Sequence, residues 1–171
     1  MANLTDKIVM IGMPGCGKST LGEIFAKEIN YNFCDMDNYI ESISQETIPH
    51  LFEKGEDYFR EWETKACKEM SKLKRSVIAC GGGVVKKDIN MEILKKECLI
   101  IFIDRPVEII VEDVNVKTRP LLKEGVHKVY DLYNERYNLY MKAADIRIEN
   151  RGTIDEIILK IKSSVKERIV K

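Results

Sequence analysis

Nine residues near the start of the chain, Gly12-Met13-Pro14-Gly15-Cys16-Gly17-Lys18-Ser19-Thr20, fit G-x-x-x-x-G-K-[ST] at every fixed position. A stretch of this type can cradle phosphates. Backbone N–H groups of the loop and the helix N-terminus are expected to point into one concavity that carries partial positive charge, which makes Gly15, Cys16, Gly17 and Thr20 candidate phosphate contacts. Glycines keep side chains out of the way of the phosphates. Lys18 can reach β- and γ-phosphates, and the Ser19 hydroxyl can bind Mg²⁺. An ordinary glycine turn is the plain alternative. The flanks argue against it, since Ile8-Val9-Met10-Ile11 reads as a buried strand and Leu21 to Ile29 as an amphipathic helix. A dinucleotide fingerprint fails, because G-x-G-x-x-G started at Gly15 meets Thr20 at its last position.

Three other stretches have unusual chemistry. Asp35-Met36-Asp37 follows a short apolar run and places two carboxylates on one side of an extended strand end. One can hold the water shell of Mg²⁺, and the other can take a proton from a substrate hydroxyl. An Asx turn or helix cap is the structural alternative. Gly81-Gly82-Gly83 follows another buried run. Three glycines are costly in entropy, so either a ligand approaches bare backbone there or the chain turns tightly. Arg119-Pro120-Leu121-Leu122 lies in an aperiodic stretch, about 113–125, that suggests a lid. An arginine there could stabilise charge on a transferring phosphoryl group. Arg60 and Arg136 sit among aromatics on predicted helices. Cys16 lies within the phosphate loop, where a helix N-terminus can lower a thiol pKa.

The elements that must position these residues alternate along the chain. Strands are expected at 8–11, 31–34, 76–80, 99–103 and 145–148. Helices are expected between them, at 21–29, 38–45, 47–70 with a break at Lys54-Gly55, 88–96, 107–113 and 126–143, and after them at 153–168. Near-continuous apolar strands read as parallel strands covered on both faces. The pattern predicts an α/β fold, a three-layer doubly wound sandwich around a five-stranded parallel sheet. The 171 residues are expected to form one domain, with substrate-binding helices at about 38–72. Ligands gather beyond the carboxyl ends of such strands, so the unusual stretches should converge there.

Composition narrows the function classes. Lys plus Arg equals Asp plus Glu, at 28 each, which gives no electrostatic footprint for nucleic acid or an anionic membrane. No apolar run approaches a membrane span, and the start does not resemble a signal peptide. Five cysteines with no Cys-x-x-Cys pair suggest reduced thiols in the cytoplasm. Neither Asn-Lys-x-Asp nor Asp-x-x-Gly occurs, which removes the usual GTPase reading. An ATPase or a small-molecule kinase remains.

Taken together, the pieces resemble the shikimate kinase family of nucleoside-monophosphate-kinase-like P-loop proteins. The resemblance rests on Gly12–Thr20, Asp35-Met36-Asp37, Thr47-Ile48-x-x-Leu51-Phe52-Glu53 and Gly55-Glu56-x-x-Phe59-Arg60-x-x-Glu63. It continues through Gly81-Gly82-Gly83, Arg119-Pro120-Leu121-Leu122, Arg136, Tyr140 and Ala144-Asp145, in family order. It implies ATP-dependent phosphorylation of the shikimate 3-hydroxyl, with ATP and Mg²⁺ required and a small-molecule partner only, by a monomer. Carried over, Asp37 would bind shikimate hydroxyls and act as base. Arg60, Arg136 and the backbone of Gly82 and Gly83 would hold the carboxylate end. Lys18 and Arg119 would serve the phosphates, and Ser19 with Asp35 the metal. In relatives an arginine shortly before Arg-Pro-Leu-Leu often stacks on adenine, but Val111 to Thr118 contains none. Arg151, in the short loop Glu149-Asn150-Arg151-Gly152, is the candidate adenine contact. Other readings are a gluconate-type kinase, whose substrate also carries a carboxylate and hydroxyls, and a silent nucleotide-binding module. The Thr47–Glu63 block and Gly81–Gly83 favour shikimate.

Overall fold

The structure is a computed structural model that describes residues 4–116 and 125–170. Five strands form one parallel sheet: β1 (Lys7–Ile11), β2 (Asn32–Asp35), β3 (Ser76–Ala79), β4 (Leu99–Asp104) and β5 (Ile146–Glu149), in the order β2-β3-β1-β4-β5. β1 pairs with β3 through Val9 and Ile78 and with β4 through Val9 and Ile100. The apolar runs at 8–11, 76–80 and 99–103 thus become the three central strands. Ile8 to Ile11 and Ile100, Ile101 and Ile103 are wholly buried, as strands covered on both faces must be.

Eight helices flank the sheet among the described residues. These are α1 (Lys18–Glu28), α2 (Met36–Ser44), α3 (Ile48–Glu53), α4 (Glu56–Met70), α5 (Asp88–Glu97), α6 (Val107–Val116), α7 (Val126–Ala143) and α8 (Ile154–Val165). α1 packs against α8, while α4 with α5 and α7 with the 3₁₀ turn Val84–Lys86 build the other layer. The expected three-layer α/β sandwich is therefore present. Among the described residues no helix is long and apolar enough to cross a membrane.

Several boundaries differ from the sequence expectation, each for a local reason. α1 begins at Lys18, so Lys18, Ser19 and Thr20 are its first turn. α2 begins at Met36, because the Asp35 carboxylate accepts from the N–H groups of Asp37 and Asn38. The break expected at Lys54-Gly55 is present, and the φ of 120° at Gly55 suits glycine there. α6 extends to Val116 rather than stopping at 113. Thr153 caps α8 and closes a capping box with Glu156.

The topology creates the place for a ligand. The connection after β1 leads to one edge of the sheet, while the connection after β3 crosses to the other side. Neighbouring strands β1 and β3 therefore flank a switch point, and the crevice beyond their carboxyl ends is open.

Candidate active site

That crevice is a cavity of about 550 Å³. One wall is the loop after β1 with the first turn of α1, from Pro14 to Thr20. Cys80, Gly81 and Gly82 after β3 form another, with Asp35 and Asp37 between them. Ile48, Pro49 and Phe52 of α3 supply an apolar side. The strand ends singled out in the sequence thus meet in one place.

The phosphate loop is built on its helix. Gly17 is the N-cap of α1 in the left-handed region, with φ 99°, and has no side chain to cap it. The first-turn N–H groups therefore remain free of a side-chain cap. The Lys18 ammonium, 8% exposed, donates to the carbonyls of Gly12 at 2.8 Å and Met13 at 2.9 Å. A buried cation at the N-terminus of a helix makes this corner strongly anion-seeking. The Cys16 thiol is fully buried and lies 3.6 Å from the same ammonium, so the side chain is turned under the loop.

The two aspartates are not a matched pair on an extended strand end. Because α2 starts at Met36, Asp35 is the N-cap and Asp37 lies in the first helical turn. The oxygens of Asp35 have separate partners. Oδ1 accepts from the N–H of Asp37 at 3.0 Å and of Asn38 at 3.2 Å, while Oδ2 accepts from the Ser19 hydroxyl at 2.7 Å. The cap reading of Asp35 describes one oxygen, and the other is engaged by Ser19. Asp37 faces Gly81, where a Cβ would lie 2.9 Å from its Oδ1. Burial pushes the Asp37 carboxyl above its ordinary value, and Asp35 adds to this against the pull of Lys18 and Arg60.

Arg60, 5% exposed, projects from α4 beside this wall. Its Nη1 donates to both oxygens of Glu63, at 3.0 and 2.9 Å, and its Nε and Nη2 donate to Glu56. Phe52 and Phe59 stack on each other and lie under the guanidinium. Lys86 bridges Glu56 at 2.8 Å and Glu135 of α7 at 3.2 Å. Glu63 is almost wholly buried; burial raises its carboxyl, and Arg60 pulls against this.

The triple glycine has a packing cause. A Cβ at Gly81 would meet Asp37, one at Gly82 would lie 2.7 Å from Cδ of Pro14, and one at Gly83 would lie 2.3 Å from Nη2 of Arg60. Bare backbone is required here by the site's own side chains as well as by any ligand. Tyr140 of α7 fastens the strip, donating its hydroxyl to the Gly82 carbonyl at 2.5 Å. One turn earlier, Arg136 is 8% exposed, and its Nε–H has no hydrogen-bond partner among the described residues. Its charge acts on both Glu63 and Tyr140, which sets it close to them.

A second cavity of about 420 Å³ shares Gly17 and Thr20 with the first. Arg151 lines it, ion-paired with Glu149 at 2.7 Å. Two further residues there, Asn150 in the loop that carries Arg151 and Arg105 at the end of the fourth strand, were given no role of their own by the sequence. Asn150 Nδ2 donates to the Cys16 carbonyl at 2.9 Å, and Arg105 Nη1 donates to the Gly15 carbonyl at 2.9 Å. Each directly follows the end of a strand, β5 or β4, and that position was the available signal. Glu63 and Lys86 were also unassigned. Arg119 and most of the expected lid lie outside the described residues.

A phosphate loop at the switch point of a parallel sheet, faced by carboxylates and a buried arginine, defines a P-loop phosphotransferase of the α/β class. A family model described as "Shikimate kinase" matches residues 14–166. A shikimate kinase from Clostridium botulinum (strain Alaska E43 / Type E3) is 55% identical over 162 residues, covering 95% of this chain and 98% of the relative. One from Clostridium beijerinckii is 51% identical over 166 residues, covering 97% and 98%. The solved shikimate kinase from Acinetobacter baumannii in complex with shikimate superposes with a TM-score of 0.88, at 33% identity, covering 98% of this chain and 96% of that one. A gluconokinase from Sinorhizobium meliloti 1021 shares the fold at 14% identity and a TM-score of 0.61. The chain belongs to the shikimate kinase family.

Proposed function

We propose that this protein transfers the γ-phosphoryl group of ATP to the 3-hydroxyl of shikimate. One observation supports this reading above others. Asp37, Gly81 and Gly82 line the cavity beside the phosphate loop, and Arg60 packs next to them against Gly83. Shikimate is a small anion with three hydroxyls. A planar guanidinium matches its carboxylate in bidentate fashion, and a carboxylate matches its diol. Arg60 is held rigid by Glu56 and Glu63, so little side-chain freedom is lost on binding. Arg136 of α7 would supply a second guanidinium for the same carboxylate.

In this reading Asp37 orients the acceptor hydroxyl and takes its proton. A carboxyl raised by burial is a better base at neutral pH than an exposed one. Lys18 and the first turn of α1 neutralise the phosphates, and catalysis comes mainly from positioning and charge. Arg119 would add charge at the transferring group. The Ser19 hydroxyl and the Asp35 carboxylate, 2.7 Å apart, are hard oxygen donors of the type Mg²⁺ accepts. When bound, Mg²⁺ would neutralise charge that develops between the β- and γ-phosphates. The protein is proposed to act as a cytoplasmic monomer without nucleic-acid or membrane partners.

A coupled assay of ADP release tests this. ADP should appear with shikimate as acceptor and stay at background with gluconate or nucleoside monophosphates. Equal or greater turnover with gluconate would overturn the substrate, and release independent of any acceptor would reduce the protein to an ATPase.

A further inference from the structure

Two side chains hold the back of the phosphate loop. The carbonyl of Gly15 accepts from Arg105 Nη1 and the next carbonyl, of Cys16, accepts from Asn150 Nδ2, both at 2.9 Å. Only the amide nitrogen of Asn150 can face a carbonyl, so the orientation of its side chain is determined. Asn150 is itself anchored, its backbone N–H donating to the Asp104 carbonyl at 2.8 Å. Arg105 uses its other terminal nitrogen to bind Asp113 of α6 at 2.5 Å. Both donors thus come from the ends of the rigid strands β4 and β5.

Peptide planarity gives these bonds a consequence inside the site. The link between Cys16 and Gly17 is trans, so its C=O and N–H point in opposite directions. With the carbonyl tied to Asn150 in the smaller cavity, the Gly17 N–H faces the larger one, which Gly17 also lines. The preceding link is held at both ends, its carbonyl by Arg105 and its N–H, from Cys16, by the Met13 carbonyl at 3.1 Å. Gly17 adopts a φ of 99°, a region where glycine rotates at little cost. Without an external tie, this peptide could turn its carbonyl toward the phosphates and repel them.

We propose that Asn150 is a positioning residue for the phosphate chain: it aims the Gly17 N–H, and Arg105 holds the neighbouring peptide in support. The inference rests on the kinase reading of the loop, and it assigns to the segment after β5 a role toward phosphate rather than base. The site keeps its donors in place before ligand arrives, which lowers the ordering cost of binding.

The test compares Asn150→Asp and Asn150→Ala with the unmodified protein, by calorimetric titration with ADP and with tripolyphosphate. Asn150→Asp is isosteric and sets a carboxylate against a carbonyl. It should weaken both ligands, by about tenfold or more, the size of one lost hydrogen bond. Asn150→Ala should weaken both by less, and shikimate affinity and the melting temperature should change little in either variant. Arg105→Lys, which retains one donor, should fall between Asn150→Asp and the parent. Unchanged tripolyphosphate binding in Asn150→Asp, with ADP binding lost, would make Asn150 a base contact and overturn the proposal. So would an equal loss of shikimate and phosphate affinity, which would mark general unfolding of the site. If the unmodified protein binds neither ADP nor tripolyphosphate, the kinase reading itself fails.

Discussion

Gly83 and Arg60 are in such close contact that a Cβ on the glycine would lie 2.3 Å from Nη2 and 2.4 Å from Nη1 of the guanidinium. The arginine cannot retreat without leaving Glu56 and Glu63, which hold it from the other side. Glycine at 83 therefore sets the position of the arginine.

Gly83→Ala should push the guanidinium out of place by about an ångström. Misplacement of that size costs roughly tenfold to a hundredfold in a positioned site. The loss should appear in the KM for shikimate, with the KM for ATP nearly unchanged. Gly81→Ala, which crowds Asp37 instead, should lower kcat more than it raises KM. Steady-state kinetics of the two variants separate these effects. The same shift in both, or none in Gly83→Ala, would remove the carboxylate role of Arg60.

Asp37 carries a stability cost that should be readable by pH. Its carboxyl is raised in the folded protein, chiefly by burial, above the ordinary 3.8. The folded state thus binds a proton more readily than the unfolded chain, and folding stability falls as pH rises through the window from 3.8 to the raised value. Asp37→Asn mimics the protonated form. It should melt higher than the parent at neutral pH, and the gap should close below the lower end of that window. Its kcat should fall by orders of magnitude with ADP binding retained. In the parent, kcat should decline as pH drops through the raised value, since the base is then protonated. A variant with normal turnover, or with a pH-independent melting difference, would contradict this account.

The sheet and the phosphate loop were legible in the sequence because they depend on local signals. Apolar runs of four or five residues between helical patterns name buried parallel strands, and G-x-x-x-x-G-K-S names its own turn. The roles of Asp35 and Asp37 were legible only in part. Their division depends on α2 starting at Met36 rather than at Asn38, and helix starts are set by capping geometry that a spacing rule does not capture. Gly81–Gly83 pointed to close approach, but the side chains that crowd the strip, Asp37, Pro14 and Arg60, are distant in sequence and were not foreseen there. Asn150 and Arg105 were passed over as binding residues because their bonds reach 134 and 90 residues back to backbone carbonyls, which leave no trace in residue type.

Arg60 and Arg136 are buried to a similar extent but should differ sharply when removed. Arg60→Ala strands Glu63, which is 1% exposed, without its hydrogen-bonded cation. Breaking one side of a buried pair costs about 3–5 kcal/mol. Arg136→Met removes a charge whose Nε–H is unpaired and keeps most of the apolar volume. That variant should be as stable as the parent or more so, since burial of an unsatisfied donor is itself unfavourable. Both variants should bind shikimate weakly. Denaturant melts beside shikimate titrations check the pair, and equal destabilisation by the two would show that Arg136 has a structural partner of equal worth.

Asp35 uses one oxygen for the fold and the other toward Ser19, so two substitutions at this position should separate cap from metal. Asparagine caps helices about as well as aspartate, through the same carbonyl oxygen. Asp35→Asn should therefore lose little stability, but it presents an uncharged amide to the Ser19 hydroxyl where a carboxylate stood. Its Mg²⁺ requirement should rise by about tenfold, because magnesium selects hard anionic oxygens and their hydration partners. Asp35→Ala loses the cap as well and should drop a further ~1 kcal/mol in stability. Magnesium titrations of initial rate, together with urea melts, resolve the two losses. If Asp35→Asn required no more Mg²⁺ than the parent, the 2.7 Å contact with Ser19 would be a structural bond alone, and the ion would have to be held without Asp35.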